Sequence, residues 1–282
     1  MSHDYPGEIT LTREGARFDL LKTSLQLDSC AFILEGYGIL RELSSLKAAK
    51  FSVSEKLFLI DMGGIVLNPT TAEELFIIHE IFVRGAYNFD LPDRCVAIDI
   101  GMNVGIASLF FASRSTVDKV FAFEPLRPTF QQAKVNFGLN KSLSDKIQAV
   151  NYGLGDQSGE LTVDYDYSNK GQIGVRGTTF VRSTLQQVEK QLIVIREASL
   201  EVKRILSQHA GQVFILKVDC EGSEYPILQD LFRHGLLSRF RMVFIEWHEQ
   251  GPEPLITLLR ESGFVTFYQW SSSRAGMIYA AR

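Results

Sequence analysis

Apolar residues along this chain fall into two regimes that meet near residue 90. Between Arg13 and Lys50, Phe18, Leu21, Leu25, Ile33, Leu40, Leu43 and Leu46 recur at near-helical spacing, broken by Gly36 and Gly38, which predicts two helices. Leu57 to Ile60 and Ile65 to Leu67 are short β-type runs on either side of Met62-Gly63-Gly64, a hairpin pattern. A helix ending near Gly85 is expected next, because Thr70-x-x-Glu73 and Thr71-x-x-Glu74 are capping boxes ahead of Leu75, Ile78, Ile81 and Phe82. Asn88 to Arg94, with Pro92 and several charges, is the expected boundary. It divides a helical and hairpin extension over 1–90 from a larger domain over 91–282.

Beyond the boundary, strand and helix patterns alternate. Strands are expected at Val96 to Ile100, Val120 to Phe123, Ile147 to Asn151, Val213 to Val218 and Met242 to Ile245. Helices are expected at Ile106 to Ser113, Thr129 to Leu139, Glu224 to Phe232 and Pro254 to Ser262. Alternation of this kind predicts a doubly wound α/β fold with a mostly parallel sheet covered on both faces. Phe264 to Trp270 and Met277 to Ala281 have only Ser271 to Gly276 between them, so the chain should close with an antiparallel hairpin.

Composition narrows the partners. The chain has 282 residues, 45% of them hydrophobic, and a formal net charge of -4. An acidic balance gives no electrostatic footprint for nucleic acid or an anionic membrane, and no stretch reaches the roughly 18 uncharged apolar residues of a membrane span. Cys30, Cys95 and Cys220 are odd in number and far apart, which suits neither a disulfide framework nor a CxxC zinc site, so a reducing, cytoplasmic setting is expected. The start, MSHDYPGEITLTREG, has no basic segment followed by an apolar run and is read as part of the mature chain.

The segment Val96-Ala97-Ile98-Asp99-Ile100-Gly101-Met102-Asn103-Val104-Gly105 carries the most chemistry. A buried-strand pattern turns through Gly101 and Gly105, which allow close backbone approach, and Asn103, which tolerates positive φ, into a helix. A dinucleotide would seat its pyrophosphate on that helix start, where a G-x-G-x-x-G fingerprint keeps rival anions away. Here Asp99 enters the turn, a charge that repels pyrophosphate and suits the ammonium and sulfonium of S-adenosylmethionine. The next strand ends in Phe123-Glu124-Pro125, and Glu124 lies 23 positions after Gly101, near the ~20-residue offset at which an acid grips ribose hydroxyls.

VAIDIGMNVG, VFAFEPLRPTFQQAKVNFGLN, VNYGLGDQSGELTV and FILKVDCEGSEYPILQDL together resemble the FkbM-type family of class I methyltransferases, over roughly Ile81 to Gly263. The lysine-x-Asp-x-Glu-Gly segment is the most specific part. The resemblance implies a seven-stranded Rossmann-like sheet, S-adenosylmethionine as methyl donor, and O-methylation of a hydroxyl on a sugar, a glycan or another small-molecule natural product. It implies that Asp99, Gly101, Asn103 and Gly105 line the methionine end, that Glu124 with Pro125 holds the ribose, and that Tyr152 and Gly153 lie near adenine. The segments before about residue 70 and from Lys170 to Arg196 match poorly and are the expected acceptor contacts, the early elements forming a lid.

Methyl transfer is an in-line displacement, so the protein has mainly to align two reactants and handle one proton. Lys217-Val218-Asp219-Cys220-Glu221 ends the fourth expected strand with Lys217, Asp219 and Glu221 on one side. Asp219 and Glu221 are candidate catalytic residues, whereas Ser223 and Glu224 read as helix cap and dipole partner. Glu246 and His248 share a face at the end of the fifth strand. His248 is the candidate general base, since its unperturbed pKa is about 6.5. Asp219, Glu246 and His248 are also a possible metal set, although no spacing demands one. Cys220, between two acids, is not read as a nucleophile, and the aromatics Tyr87, Phe89, Trp247, Tyr268 and Trp270 are candidate walls for the site. A nicotinamide-dependent oxidoreductase is the competing enzyme class, and a non-catalytic S-adenosylmethionine-binding protein the competing non-enzyme.

Overall fold

The computed structural model describes residues 9–12, 15–18, 23–25, 31–54, 57–166 and 188–282. The chain divides into two units, Met1–Asn88 and Phe89–Arg282. In the first, β1 (Ile9–Thr12), β2 (Gly15–Phe18) and β3 (Thr23–Leu25) form an antiparallel sheet. The first helix expected after Arg13 is therefore displaced by strands as far as residue 25. Phe18 and Leu25 suit a helical period, yet Ile9-Thr10-Leu11-Thr12 alternates with period two and β-branched residues fit a pleated surface better than a helix. Leu21 and Cys30 lie outside the described residues.

Two short helices follow, α1 (Ala31–Glu35) and α2 (Tyr37–Ser44), and then β4 (Ala49–Ser54), a strand where the second helix was expected to end. β4 pairs with β5 (Leu57–Met62), and β5 with β6 (Val66–Leu67), which is the expected hairpin. Gly63 and Gly64 adopt positive φ in its turn, and Gly64 N donates to Asp61 Oδ1 at 2.6 Å. In α3 (Ala72–Phe82), Thr71 Oγ1 accepts from Glu74 N while Glu74 Oε2 accepts from Thr70 N, so the second capping box is the one used.

The second unit opens with β7 (Cys95–Ile100), α4 (Ile106–Ser113), β8 (Val117–Phe123), α5 (Arg127–Leu139), α6 (Lys141–Ser144) and β9 (Ile147–Val150). A small sheet of β10 (Gly153–Gly155), β11 (Gly159–Asp166) and β12 (Val188–Glu197) intervenes, in the order β10-β12-β11. Then come α7 (Ala198–Gln208), β13 (Val213–Val218), α8 (Glu224–Arg233), β14 (Met242–His248), α9 (Glu253–Glu261), β15 (Val265–Trp270) and β16 (Ala275–Ala281). Of the poorly matching stretch from Lys170 to Arg196, residues 188–196 lie in β12 and 170–187 lie outside the described residues.

The main sheet has seven strands in the order β15-β16-β14-β13-β7-β8-β9. β9, β8, β7, β13 and β14 are parallel, and β16 runs antiparallel to both β14 and β15, the closing hairpin the sequence predicted. Every residue of β7 is buried, as a central strand covered on both faces requires. On one face, Ile98, Leu216 and Val218 pack with Val202 and Ile205 of α7, Ile227 and Leu231 of α8, and Leu255 and Leu259 of α9. From β7 the chain winds outward through β8 and β9, returns to β13 on the other side of β7, and winds the opposite way. The order reverses between β7 and β13, and it is at the carboxyl ends of such a pair that open α/β sheets bind ligands. No helix among the described residues is long and apolar enough to cross a membrane.

Candidate active site

Two neighbouring strand ends build the site's floor. Parallel pairing sets Lys217 of β13 directly beside Asp99 of β7. Asp99 is wholly buried; Ser108 Oγ donates to its Oδ2 at 2.6 Å, and Lys217 Nζ lies 3.2 Å from its Oδ1. The same ammonium donates to the Gly101 carbonyl at 2.5 Å and sits 3.4 Å from Asp219 Oδ2. Burial opposes the Lys217 charge, but Asp99 and Asp219 outweigh it and raise its pKa above the ordinary lysine range. The acid at the turn is thus already neutralised from within. Strand register, not the turn itself, supplies that internal cation.

The glycine turn has a geometric reason of its own. Gly101 has φ +81°, and a Cβ there would lie 1.7 Å from the Asp219 carbonyl oxygen; Gly105 has φ +82°, and its Cβ would meet the Phe137 ring at 2.6 Å. Both glycines are therefore required by the protein's own packing, independently of any ligand. Asn103 has φ 53°. Its N–H donates to Glu124 Oε2 at 3.0 Å, and its side-chain Oδ1 is buried without a hydrogen-bond partner. Glu124 Oε1 accepts from Leu126 N at 2.8 Å. Burial pushes the Glu124 carboxyl up to about 7, against the pull of the two amides and of Lys217.

Pro125, Tyr152 and Gly153 come together beside Glu124. Asn151 Nδ2 donates to the carbonyls of Glu124 and Pro125 at 2.9 and 3.0 Å, and a Cβ on Gly153 would touch Pro125 and Ile195. The Arg196 guanidinium stacks 4.0 Å from the Tyr152 ring and is itself paired with Glu201 at 3.2 Å. Burial, then Glu201, raises the Tyr152 pKa. A shallow depression of about 370 Å³ between β11, β12 and α7 includes Arg196 and Glu201 in its lining but neither Asp219 nor His248.

The ends of β13 and β14 gather the remaining candidates. Asp219, Glu221, Glu246 and His248 are partly exposed, whereas Glu224 is completely buried. Its Oε1 lies 2.6 Å from His248 Nδ1 and accepts from Cys220 N at 3.1 Å. Glu224 sits in the first turn of α8 as expected and is in addition a partner of His248, while Ser223 at the N-cap makes no side-chain cap bond. Position in a first turn suggested dipole dressing; only the return of β14 over α8 reveals the partner. His248 Nε2 faces Glu221 at 3.6 Å and Glu246 at 4.0 Å.

Burial works against the His248 charge, but the hydrogen bond and charge of Glu224, followed by Glu221 and Asp219, push its pKa up to about 10. At neutral pH the ring is a cation with no lone pair for an incoming proton. Three carboxylates, those of Glu224, Glu221 and Asp219, favour the protonated ring. The Cys220 thiol is pushed well above its ordinary range by burial and Glu224, in keeping with the sequence reading. Asp219, Glu224 and His248 each bring a potential metal-ligand atom within 4.8 Å of the other two. That set shares Asp219 and His248 with the one expected from the sequence, whose third member was Glu246.

Among the aromatics, Trp247 is fully buried with its ring 4.7 Å from Trp270, and Phe89 packs on Phe111 and Phe244. Tyr268 and Trp270 are exposed on β15, and Tyr87 is buried in the first unit.

Comparison with known proteins adds identity to this geometry. A family model described as the methyltransferase FkbM domain matches residues 99–266, more than half of the chain. The chain is 27% identical over 267 residues to the AMB antimetabolite synthetase AmbE of Pseudomonas aeruginosa, a match covering 79% of this chain and 12% of that protein. It is 30% identical to Methyltransferase 1 of Beauveria bassiana, covering 63% of this chain and 75% of that one, and 27% identical to Methyltransferase sdnD of Sordaria araneosa, covering 74% and 90%. The chain thus spans about an eighth of the length of the first relative and most of the other two.

Proposed function

The chain belongs to the FkbM methyltransferase family, and from that premise we propose that it transfers the methyl group of S-adenosylmethionine to a hydroxyl of a sugar, a glycan or another small-molecule natural product. The observation that carries this reading is the turn Gly101 to Gly105 at the sheet's reversal point, bonded through Asn103 N to Glu124 at the end of the adjacent strand. S-adenosylmethionine supplies, when bound, a methyl on a positively charged sulfur. The residues present suit it: the buried Asn103 Oδ1 lacks a partner and can accept from an ammonium, and each Glu124 oxygen keeps a lone pair for a ribose hydroxyl. Pro125, Tyr152 and Gly153 offer an apolar edge for adenine. Asp99 contributes indirectly, by fixing Lys217 and with it the Gly101 carbonyl.

Asp219 and Glu221 are the groups we assign to the acceptor. Both are partly exposed, and the Lys217 ammonium steadies Asp219. Either carboxylate orients the hydroxyl and takes its proton as the new oxygen–carbon bond forms and the sulfur–carbon bond breaks, leaving the thioether product. The His248 imidazolium balances charge beside them. That one relative is named an antimetabolite synthetase favours a natural-product acceptor.

Thermal shift with S-adenosylhomocysteine and with NAD, followed by mass spectrometry of hydroxylated acceptors incubated with S-adenosylmethionine, tests the proposal. We expect stabilisation by S-adenosylhomocysteine and methylation at oxygen. Stabilisation by NAD alone would overturn the reading in favour of a nicotinamide-dependent oxidoreductase. Binding without turnover of any acceptor would leave a non-catalytic binding protein in its place.

A further inference from the structure

We propose that Asp219, Glu224 and His248 bind a divalent first-row metal ion at the carboxyl ends of β13 and β14. The three ligand atoms lie within 4.8 Å of one another, close to the span of ligands held about 2.1 Å from a shared ion. Asp219 is the most exposed of the three and can close the remaining gap by a small rotation. Two carboxylate oxygens and an imidazole nitrogen form a donor set suited to Mn²⁺, Fe²⁺ or Zn²⁺.

An independent observation points to a missing ligand. Glu224 is 0% exposed, and while its Oε1 serves His248 and Cys220 N, its Oε2 is sealed from solvent without a hydrogen-bond partner. A buried carboxylate oxygen left unsatisfied is costly unless a cation takes it up. Charge agrees with geometry, since Asp219, Glu221, Glu224 and Glu246 surround one imidazole ring. The other trio of comparable spacing, Glu197, Asp230 and His234, lacks such an orphan: Ser199 Oγ donates to Glu197 and Ser199 N to Asp230. Binding would release the imidazole proton to solvent, with Glu224 Oε2 as the carboxylate oxygen left free for the ion. Metal binding stands independently of the methyl-transfer reading; polarisation of an acceptor hydroxyl by the ion would rest on it.

The test is isothermal titration of the chelator-treated full-length chain with MnCl₂ and with ZnCl₂, accompanied by electron paramagnetic resonance of Mn²⁺. We expect one ion per chain, affinity reduced roughly tenfold or more in Asp219→Asn and in Glu224→Gln, and little change in Glu246→Gln. If Glu224→Gln fails to fold, Asp219→Asn decides alone. No saturable uptake of either metal, uptake unaltered by both substitutions, or loss confined to Glu246→Gln would each overturn the assignment. S-adenosylhomocysteine binding, read separately by thermal shift, distinguishes a failure here from a failure of the proposed function.

Discussion

Glu124 is an acid that has been moved to neutrality by its surroundings. Buried against the turn, it titrates near 7 although two backbone amides favour its ionised form. A folded-state pKa raised above the ordinary 4.5 means that the native chain binds the proton more tightly than the unfolded chain. The stability this gives is complete below about pH 4.5 and is lost as pH rises through 7, a change of at most about 3 kcal/mol. Glu124→Gln cannot titrate, so the gap in urea-unfolding free energy between wild type and variant should shift in the variant's favour from pH 5 to pH 8. A gap independent of pH would show that Glu124 ionises as freely as a surface acid. At this scale the sequence was informative about identity and less so about contact. The spacing from Gly101 picked out Glu124, yet nothing in it revealed that both oxygens are engaged by the loop's own backbone.

At the scale of elements, the pairing of β7 with β13 is what turns separate motifs into one site. Asp99 and Lys217 lie 118 positions apart in sequence but side by side in register, and the ammonium reaches across to Gly101 and Asp219. Removing one member leaves a buried charge uncompensated, so Lys217→Met should cost about 3–5 kcal/mol in chemical denaturation. Lys217→Met combined with Asp99→Leu should recover a large part of that loss, and purely additive destabilisation would refute the pairing. The strands themselves were legible because continuous apolar runs ending in glycine turns have few other readings, as at Val96 to Gly105 and Val213 to Val218. Other elements were less visible. β11 and β12 pair antiparallel, Asp166 opposite Val188, a long-range match that local periodicity does not report. The N-terminal strands escape the periodicity because Phe18 and Leu25 stand at helical spacing while belonging to two different strands, β2 and β3. The contact of Glu224 with His248 is hidden for a similar reason, since the partner arrives from β14, 24 residues later.

For the whole molecule, the question is whether the second unit is self-sufficient. Residues 89–282 contain all seven strands of the main sheet, the helices α7, α8 and α9 that cover one of its faces, and every residue assigned here to donor, acceptor or metal. The family match, residues 99–266, lies wholly inside it. Its core includes a large buried cluster that runs from Val96 in β7 to Ala280 in β16, and a smaller one of Leu126, Val163, Tyr165, Ile193 and Ile195. A chain of this size with such a core is within the range that folds alone. We therefore predict that a fragment comprising residues 89–282 unfolds in one cooperative thermal transition and is stabilised by S-adenosylhomocysteine, with an affinity within about threefold of the full chain, less than 1 kcal/mol. A fragment that is cooperative but fails to bind would move part of the donor site outside the second unit. One that binds fully but lacks turnover on an acceptor the intact chain methylates would assign acceptor recognition to residues 1–88, where the family match does not reach.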